Sequence, residues 1–259
     1  MEALVPHFSI FMLVFMRVSA FFVTLPLFSY RTLPATFRIG FSAFLAILIY
    51  YTLDVQPIAI DGVYLLLIVK EAMVGLFIGF IAYMMLTAIQ IAGGFIDFQM
   101  GFAIANVIDP QTGAQSPLIG QYFYMFALLF LLTVNGHHLI INGVFNSYQF
   151  IPIDKMIVSF GNENFVMYIA KSFTSMFMIA FQMAIPVVAS IFLVDVGLGI
   201  IARTVPQLNI FVVGFPIKIA VSFIVLFIVL GLVFTVIQNL FEQMLVVISS
   251  VMRFMGGAG

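Results

Sequence analysis

Cysteine is absent from the 259 residues, so disulfides, thiolate metal sites and cysteine nucleophiles are excluded. Tryptophan is absent too, and an aromatic belt at a membrane surface must therefore draw on the 9 tyrosines rather than the 32 phenylalanines. Charge is scarce: Asp, Glu, Lys and Arg make up 7% of the chain, against about 25% in soluble domains. The net charge of −1 gives no electrostatic footprint for nucleic acid or for acidic lipid. No HExxH, phosphate loop or nucleophile elbow is present. What fills the chain instead is apolar sequence, 64% hydrophobic with a mean hydropathy of +1.25. The chain is an all-α integral membrane protein.

The N-terminal stretch lacks the basic start and small-residue cleavage site of a signal peptide, and is expected to stay attached as the first membrane segment, residues 4–25. Arg17 lies inside it. An intramembrane arginine is costly unless it faces protein or a cavity, which favours a structural ion pair within a helix bundle. A second segment, 39–53, is short against the ~20 residues a span needs and is read as a partial or tilted insertion.

Residues 63–98 contain no proline, and no charge intervenes between Ala72 and Ile96. A helix of that length reaches ~50 Å, well beyond the ~30 Å of hydrocarbon. Residues 165–201, bent at Pro186, and 215–251 show the same excess. Three apolar helices too long for lipid predict surfaces covered by other subunits. Gly75 and Gly79, with Ala72 and Ala82, form a small-residue stripe that admits a close helix neighbour. The positive residues Arg31, Arg38 and Arg203 set against Lys155 and Arg253 favour an outside N-terminus.

Between two of the apolar runs lies FQMGFAIANVIDPQTGAQSPLIGQ, residues 98–121. Its single formal charge is Asp109; its polarity comes from Gln99, Asn106, Gln111, Thr112, Gln115 and Ser116. Gly101, Gly113, Gly120, Pro110 and Pro117 break any continuous helix. Irregular backbone at membrane depth must be buried in protein or line a watery cavity, so the stretch is read as lining or plugging something, against the plainer reading of a loop packed on headgroups.

Few other side chains suggest chemistry. His137 and His138 are adjacent and diverge on a helix by about 100°, which does not suit a shared metal, and a structural role at the end of a membrane segment is expected. Asp97 and Asp195 lie in or near apolar runs. A proton relay or an aspartyl dyad is one reading; a buried pair or a hydrogen-bonded cap is the preferred one, with Arg203 two turns beyond Asp195 as its neutraliser.

Three motifs together resemble a known family. GGFIDFQMGFAIANVIDPQTGAQSPLIGQ, then NGHHLII, then VGLGIIARTVPQLNIFVVGFPIKI is similar to the FliR/SctT family of type III secretion export-apparatus proteins, across essentially the whole chain. The resemblance implies a FliP-like helical portion, 1–164, followed by a FliQ-like helical hairpin, 165–251, and a short tail, 252–259. It implies a helical hetero-oligomeric pore of one such chain with several FliP and FliQ homologues, working with FlhB and FlhA homologues in the bacterial cytoplasmic membrane at the flagellar basal body. Unfolded proteins would be the cargo, and no cofactor, metal or enzymatic step is implied.

The stretch matching the family's plug is 101–121, lying beneath a methionine ring contributed by FliP. In it Phe102, Ile104, Val107 and Ile108 would form an apolar constriction that dewets, beside Asn106 and Asp109, while Gly101, Pro110 and Gly113 set its shape. An injectisome export gate is the near alternative. A secondary transporter would need inverted repeats, and none is convincing. An intramembrane enzyme lacks its constellation of residues.

Overall fold

The computed structural model describes residues 5–28, 33–53, 55–56, 58–102, 117–156, 163–207 and 209–257. Among them every regular element is an α-helix: α1 Val5–Thr24, α2 Ala35–Thr52, α3 Gly62–Met100, α4 Leu118–Thr133, α5 Gly136–Phe150, α6 Glu163–Thr204 and α7 Ile210–Met255. The expected all-helical membrane class is therefore what the chain adopts. Three helices, Gly62–Met100, Glu163–Thr204 and Phe211–Met255, are long and apolar enough to cross a membrane. With 39, 42 and 46 residues, α3, α6 and α7 are ~58, ~63 and ~69 Å long, about twice a hydrocarbon core.

Local chemistry sets the ends. Pro26 follows α1, where a residue without an amide hydrogen cannot extend the ladder. Pro34 stands before α2 in an extended conformation, φ −63° and ψ 144°. That helix thus begins four residues before the apolar run that the sequence outlines at Ile39. Asp61 caps α3 by accepting the Tyr64 amide at 3.0 Å. Asn209 caps α7, its Oδ1 accepting the amides of Phe211 at 3.1 Å and Val212 at 3.4 Å. Glu163 and Arg203 lie in the first and last turns of α6, each at the end where the helix dipole favours its sign. The helix is continuous through Pro186.

Helix α5 is the element the hydropathy pattern does not announce. Asn135 turns the chain in the left-handed region at φ 55°, and GHHLIINGVFNSYQF then forms a further helix. His137 and His138 consequently open a helix instead of closing one, their rings 4.2 Å apart.

The chain packs as two compact units, each assembled from separate segments. The first comprises Met1–Met85, Val134–Phe173 and Glu242–Gly259. Its core includes Leu13, Val14, Phe21, Ile49, Val74, Ile78, Ile140, Ile248 and Met252, all essentially inaccessible. Phe22, Phe28 and Phe41 pack ring to ring between α1 and α2, with centroids 4.7 to 5.6 Å apart. Gly75 and Gly79 face α1: a Cβ on Gly75 would strike the Arg17 carbonyl oxygen, and one on Gly79 would lie 2.8 Å from the Phe21 carbonyl oxygen. The small-residue stripe is thus occupied by a helix of the same chain.

The second unit comprises Leu86–Thr133 and Thr174–Phe241. Ile89, Ile96, Ala127, Leu131, Met183, Val187, Ile237 and Leu240 are buried in it. Both units draw on residues before and after 164, so spatial compaction partitions the chain differently from its order. Outside the cores, α6 and α7 stay largely uncovered. In their apolar windows 22% and 17% of residues are buried, against 50% in α3, and Leu193, Phe211, Phe227 and Ile228 are at least 70% exposed. Apolar surface on that scale belongs against lipid or other protein.

Candidate functional site: the frame of the polar stretch and a buried ion cluster

Within the second unit, α3 enters the polar stretch and α4 leaves it. Ile104, Asn106, Val107, Ile108, Asp109, Pro110 and Gly113 lie outside the described residues; Gly101, Phe102 and the frame on either side lie within them. Two glycines let the frame close. A Cβ on Gly93 would overlap the Gly120 backbone, and one on Gly120 would come 2.8 Å from the Gln90 carbonyl oxygen, so α3 and the start of α4 touch backbone to backbone.

Asp97, 3% exposed, sits at that junction. Its Oδ2 accepts the Ile119 amide at 3.0 Å, and the amides of Leu118 and Gly120 also turn toward the carboxylate. These are first-turn N–H groups of α4, which have no partner inside their own helix. A carboxylate on them satisfies orphan donors and meets the positive end of the helix dipole. Asp97 is therefore a cap supplied from another helix. Its Oδ1 has no partner among the described residues.

At the far end of α3 the backbone turns through Gly101, whose φ of 90° suits glycine. The Phe215 ring of α7 lies against it: a Cβ there would be 2.6 Å from Cε1. Two residues earlier, Gln99 Nε2 donates to Asp195 Oδ2 at 3.0 Å, and Asp195 Oδ1 forms an ion pair with Lys218. This corrects the expected partner of Asp195. Arg203 is eight residues on, or roughly 12 Å along α6, whereas α7 brings Lys218 directly across. Arg203 instead lines an open surface depression with Val196, Gly199, Ile200 and Thr204.

A separate polar centre lies inside the first unit. Arg17 of α1 and Glu71 of α3, both fully buried, meet fork to fork: Nε to Oε2 at 2.5 Å and Nη2 to Oε1 at 2.9 Å. Arg17 also donates to Ser147 Oγ at 2.9 Å and to the Ile151 carbonyl at 2.8 Å, and its guanidinium lies 4.0 Å from the Tyr148 ring centroid. Lys70 pairs with Glu71 Oε1 at 2.7 Å and donates to the carbonyls of Pro152, Ile153 and Lys155 at 2.8 to 3.0 Å. Two cations thus share one carboxylate. The excess charge is met by carbonyls at and just beyond the C-terminus of α5, the negative end of its dipole.

The structural pairing expected of Arg17 thus has named partners. Lys70, Glu71 and Ser147 were not singled out from sequence; the adjacent charges at 70–71 within an apolar run are the signal that points to them. No cluster of His, Cys, Asp and Glu suited to a metal occurs among the described residues.

Against known proteins, residues 8–244 match the family described as Bacterial export proteins, family 1. The chain is 57% identical over 257 residues to the Flagellar biosynthetic protein FliR of Bacillus subtilis, covering 99% of both chains. It is 27% identical over 229 residues to the Escherichia coli protein of the same name, covering 88% of this chain and 87% of that one. It is 30% identical over 213 residues to the Yop proteins translocation protein T of Yersinia pestis, covering 81% of each. The chain belongs to the bacterial export proteins, family 1, the FliR/SctT family.

Proposed function

We propose that this protein is the FliR-type subunit of the flagellar export gate, a non-enzymatic membrane component through which unfolded flagellar proteins leave across the bacterial cytoplasmic membrane at the basal body. The observation that carries the reading is the 57% identity, end to end, to a flagellar biosynthetic protein. An injectisome export gate ranks second, with the 30% identity to the Yop proteins translocation protein T as its support.

The proposed assembly pairs a FliP-like portion, 1–164, and a FliQ-like hairpin, 165–251, with several FliP and FliQ homologues around this single chain, next to FlhB and FlhA homologues. Helices of ~58 to ~69 Å with uncovered apolar faces support it, because such surfaces need neighbouring protein wherever they leave the hydrocarbon.

Residues 101–121 are proposed as the plug. Cargo in transit presents every side-chain type, so a gate segment should hold few charges that trap or repel it. Residues 101–121 hold one, Asp109. Phe102, Ile104, Val107 and Ile108 supply an apolar constriction that sheds water and resists ion passage when closed. Pro110, Gly113 and Gly101 shape its backbone, and Asn106 adds polarity without charge. The family's FliP methionine ring would lie above it.

The absence of cysteine provides a clean test. Ile108→Cys, co-produced with the FliP- and FliQ-like partners, should crosslink to a stalled export substrate. An assembled, exporting complex in which this position never meets substrate while neighbouring subunits do would end the plug reading.

A further inference from the structure

The motif VGLGIIARTVPQLNIFVVGFPIKI carries two of the charges in the second unit, and the structure brings one of them, Lys218, to Asp195 and Gln99. The helix stretches that lead to it are apolar. No formal charge lies between Lys171 and Asp195 on α6, between Lys218 and Glu242 on α7, or from Ala72 to Ile96 on α3. An ion pair within such segments is costly unless each charge compensates the other, and such residues mark function by default. The side chains of Asp195 and Lys218 are 33% and 25% exposed, so the pair is reachable from one side rather than sealed in a core.

The carboxylate serves two helices at once. Oδ1 takes Lys218 of α7 and Oδ2 takes Gln99 in the last turn of α3. Phe215, three residues before Lys218 and so on the same face of α7, lays its ring on Gly101. The glycine leaves room for that ring and takes the positive φ at which α3 ends. Three helices therefore converge on residues 99–101, immediately before the proposed plug.

We propose that Gln99, Asp195 and Lys218, with Phe215 against Gly101, form a clasp that fixes the end of α3 on α6 and α7 and so sets where the proposed plug begins. They are positioning residues for the closed gate. The inference rests on the export-gate reading and deepens it.

The test uses the full chain co-produced with its FliP- and FliQ-like partners in membrane vesicles, reading sodium and proton leak per assembled complex, with export in cells. Asp195→Asn and Lys218→Met should each assemble and raise leak about fivefold or more. The exchange Asp195→Lys with Lys218→Asp should bring leak back to within about twofold of the unaltered complex.

Singles that assemble with unaltered leak overturn the clasp, as does an exchange that leaks like the singles. Loss of complex with unchanged leak per complex would assign the pair to stability alone and also overturns it. If the charge variants fail to assemble, Gln99→Leu keeps the ion pair and removes only the α3 link; raised leak supports the clasp and unaltered leak overturns it. Phe102→Gly with Ile108→Gly separates the two readings. Leak there with tight clasp variants ends the clasp alone, and tightness in both ends the plug reading as well.

Discussion

Arg17 and Glu71 stand 54 residues apart in sequence and meet inside the first unit through two parallel hydrogen bonds, at 2.5 and 2.9 Å, with neither side chain accessible. The pair ties α1 to α3, and through Ser147 and Ile151 it ties both to the end of α5. Removing the carboxylate that Arg17 and Lys70 share leaves two buried cations with no counter-charge, facing only carbonyl and hydroxyl dipoles.

Glu71→Ala is therefore expected to destabilise the subunit by about 3–5 kcal/mol, the range for breaking one side of a buried ion pair. Arg17→Lys keeps the charge but loses the planar fork, and should fall between Glu71→Ala and the unaltered protein. Thermal unfolding of the detergent-solubilised complex checks the order.

Helix contact through glycine gives a second expectation. Gly75→Val pushes a branched side chain into the α1 backbone and should cost at least about 1–3 kcal/mol, the range for overpacking. Gly40→Ala in α2 meets nothing within 4 Å and should be neutral or stabilise by roughly 0.5–1 kcal/mol through helix propensity. Comparing the two by accumulation in membranes and by protease resistance checks the contrast. Equal loss at both positions would contradict the packing described for α1 on α3.

Asp97→Ala removes the cap that α3 lends to α4 and should cost about 0.5–2 kcal/mol. Asp97→Asn retains an acceptor for the Ile119 amide and should preserve more of that stability. Hydrogen exchange at the first turn of α4 reads the difference directly, with faster exchange expected for the alanine variant.

For the proposed plug, Phe102→Gly combined with Ile108→Gly should leave assembly intact and allow sodium or protons through the closed complex, because an apolar constriction loses its barrier when it no longer excludes water. Ion flux into vesicles checks this, and normal tightness would count heavily against the mechanism.

Much of this architecture was legible beforehand. Uninterrupted apolar runs placed α1, α3, α6 and α7 to within a few residues, since a segment poor in charge has no better environment than lipid or a protein interior. The polar stretch stood out because it is equally poor in charge yet broken by glycine and proline and made polar by amides and hydroxyls. Helix α5 did not, because GHHLIINGVFNSYQF alternates amides and apolar residues too closely for hydropathy to mark it.

The sequence by itself determined the membrane class, the long helices and the family, because each is written in local composition or in runs of ordered residues. Only the tertiary structure decided the partnerships: Glu71 for Arg17, Lys218 rather than Arg203 for Asp195, and the start of α4 for Asp97. Each joins residues on different helices whose separation along the chain says nothing of their distance in space. Which charges compensate one another in an apolar medium is fixed by how the helices pack.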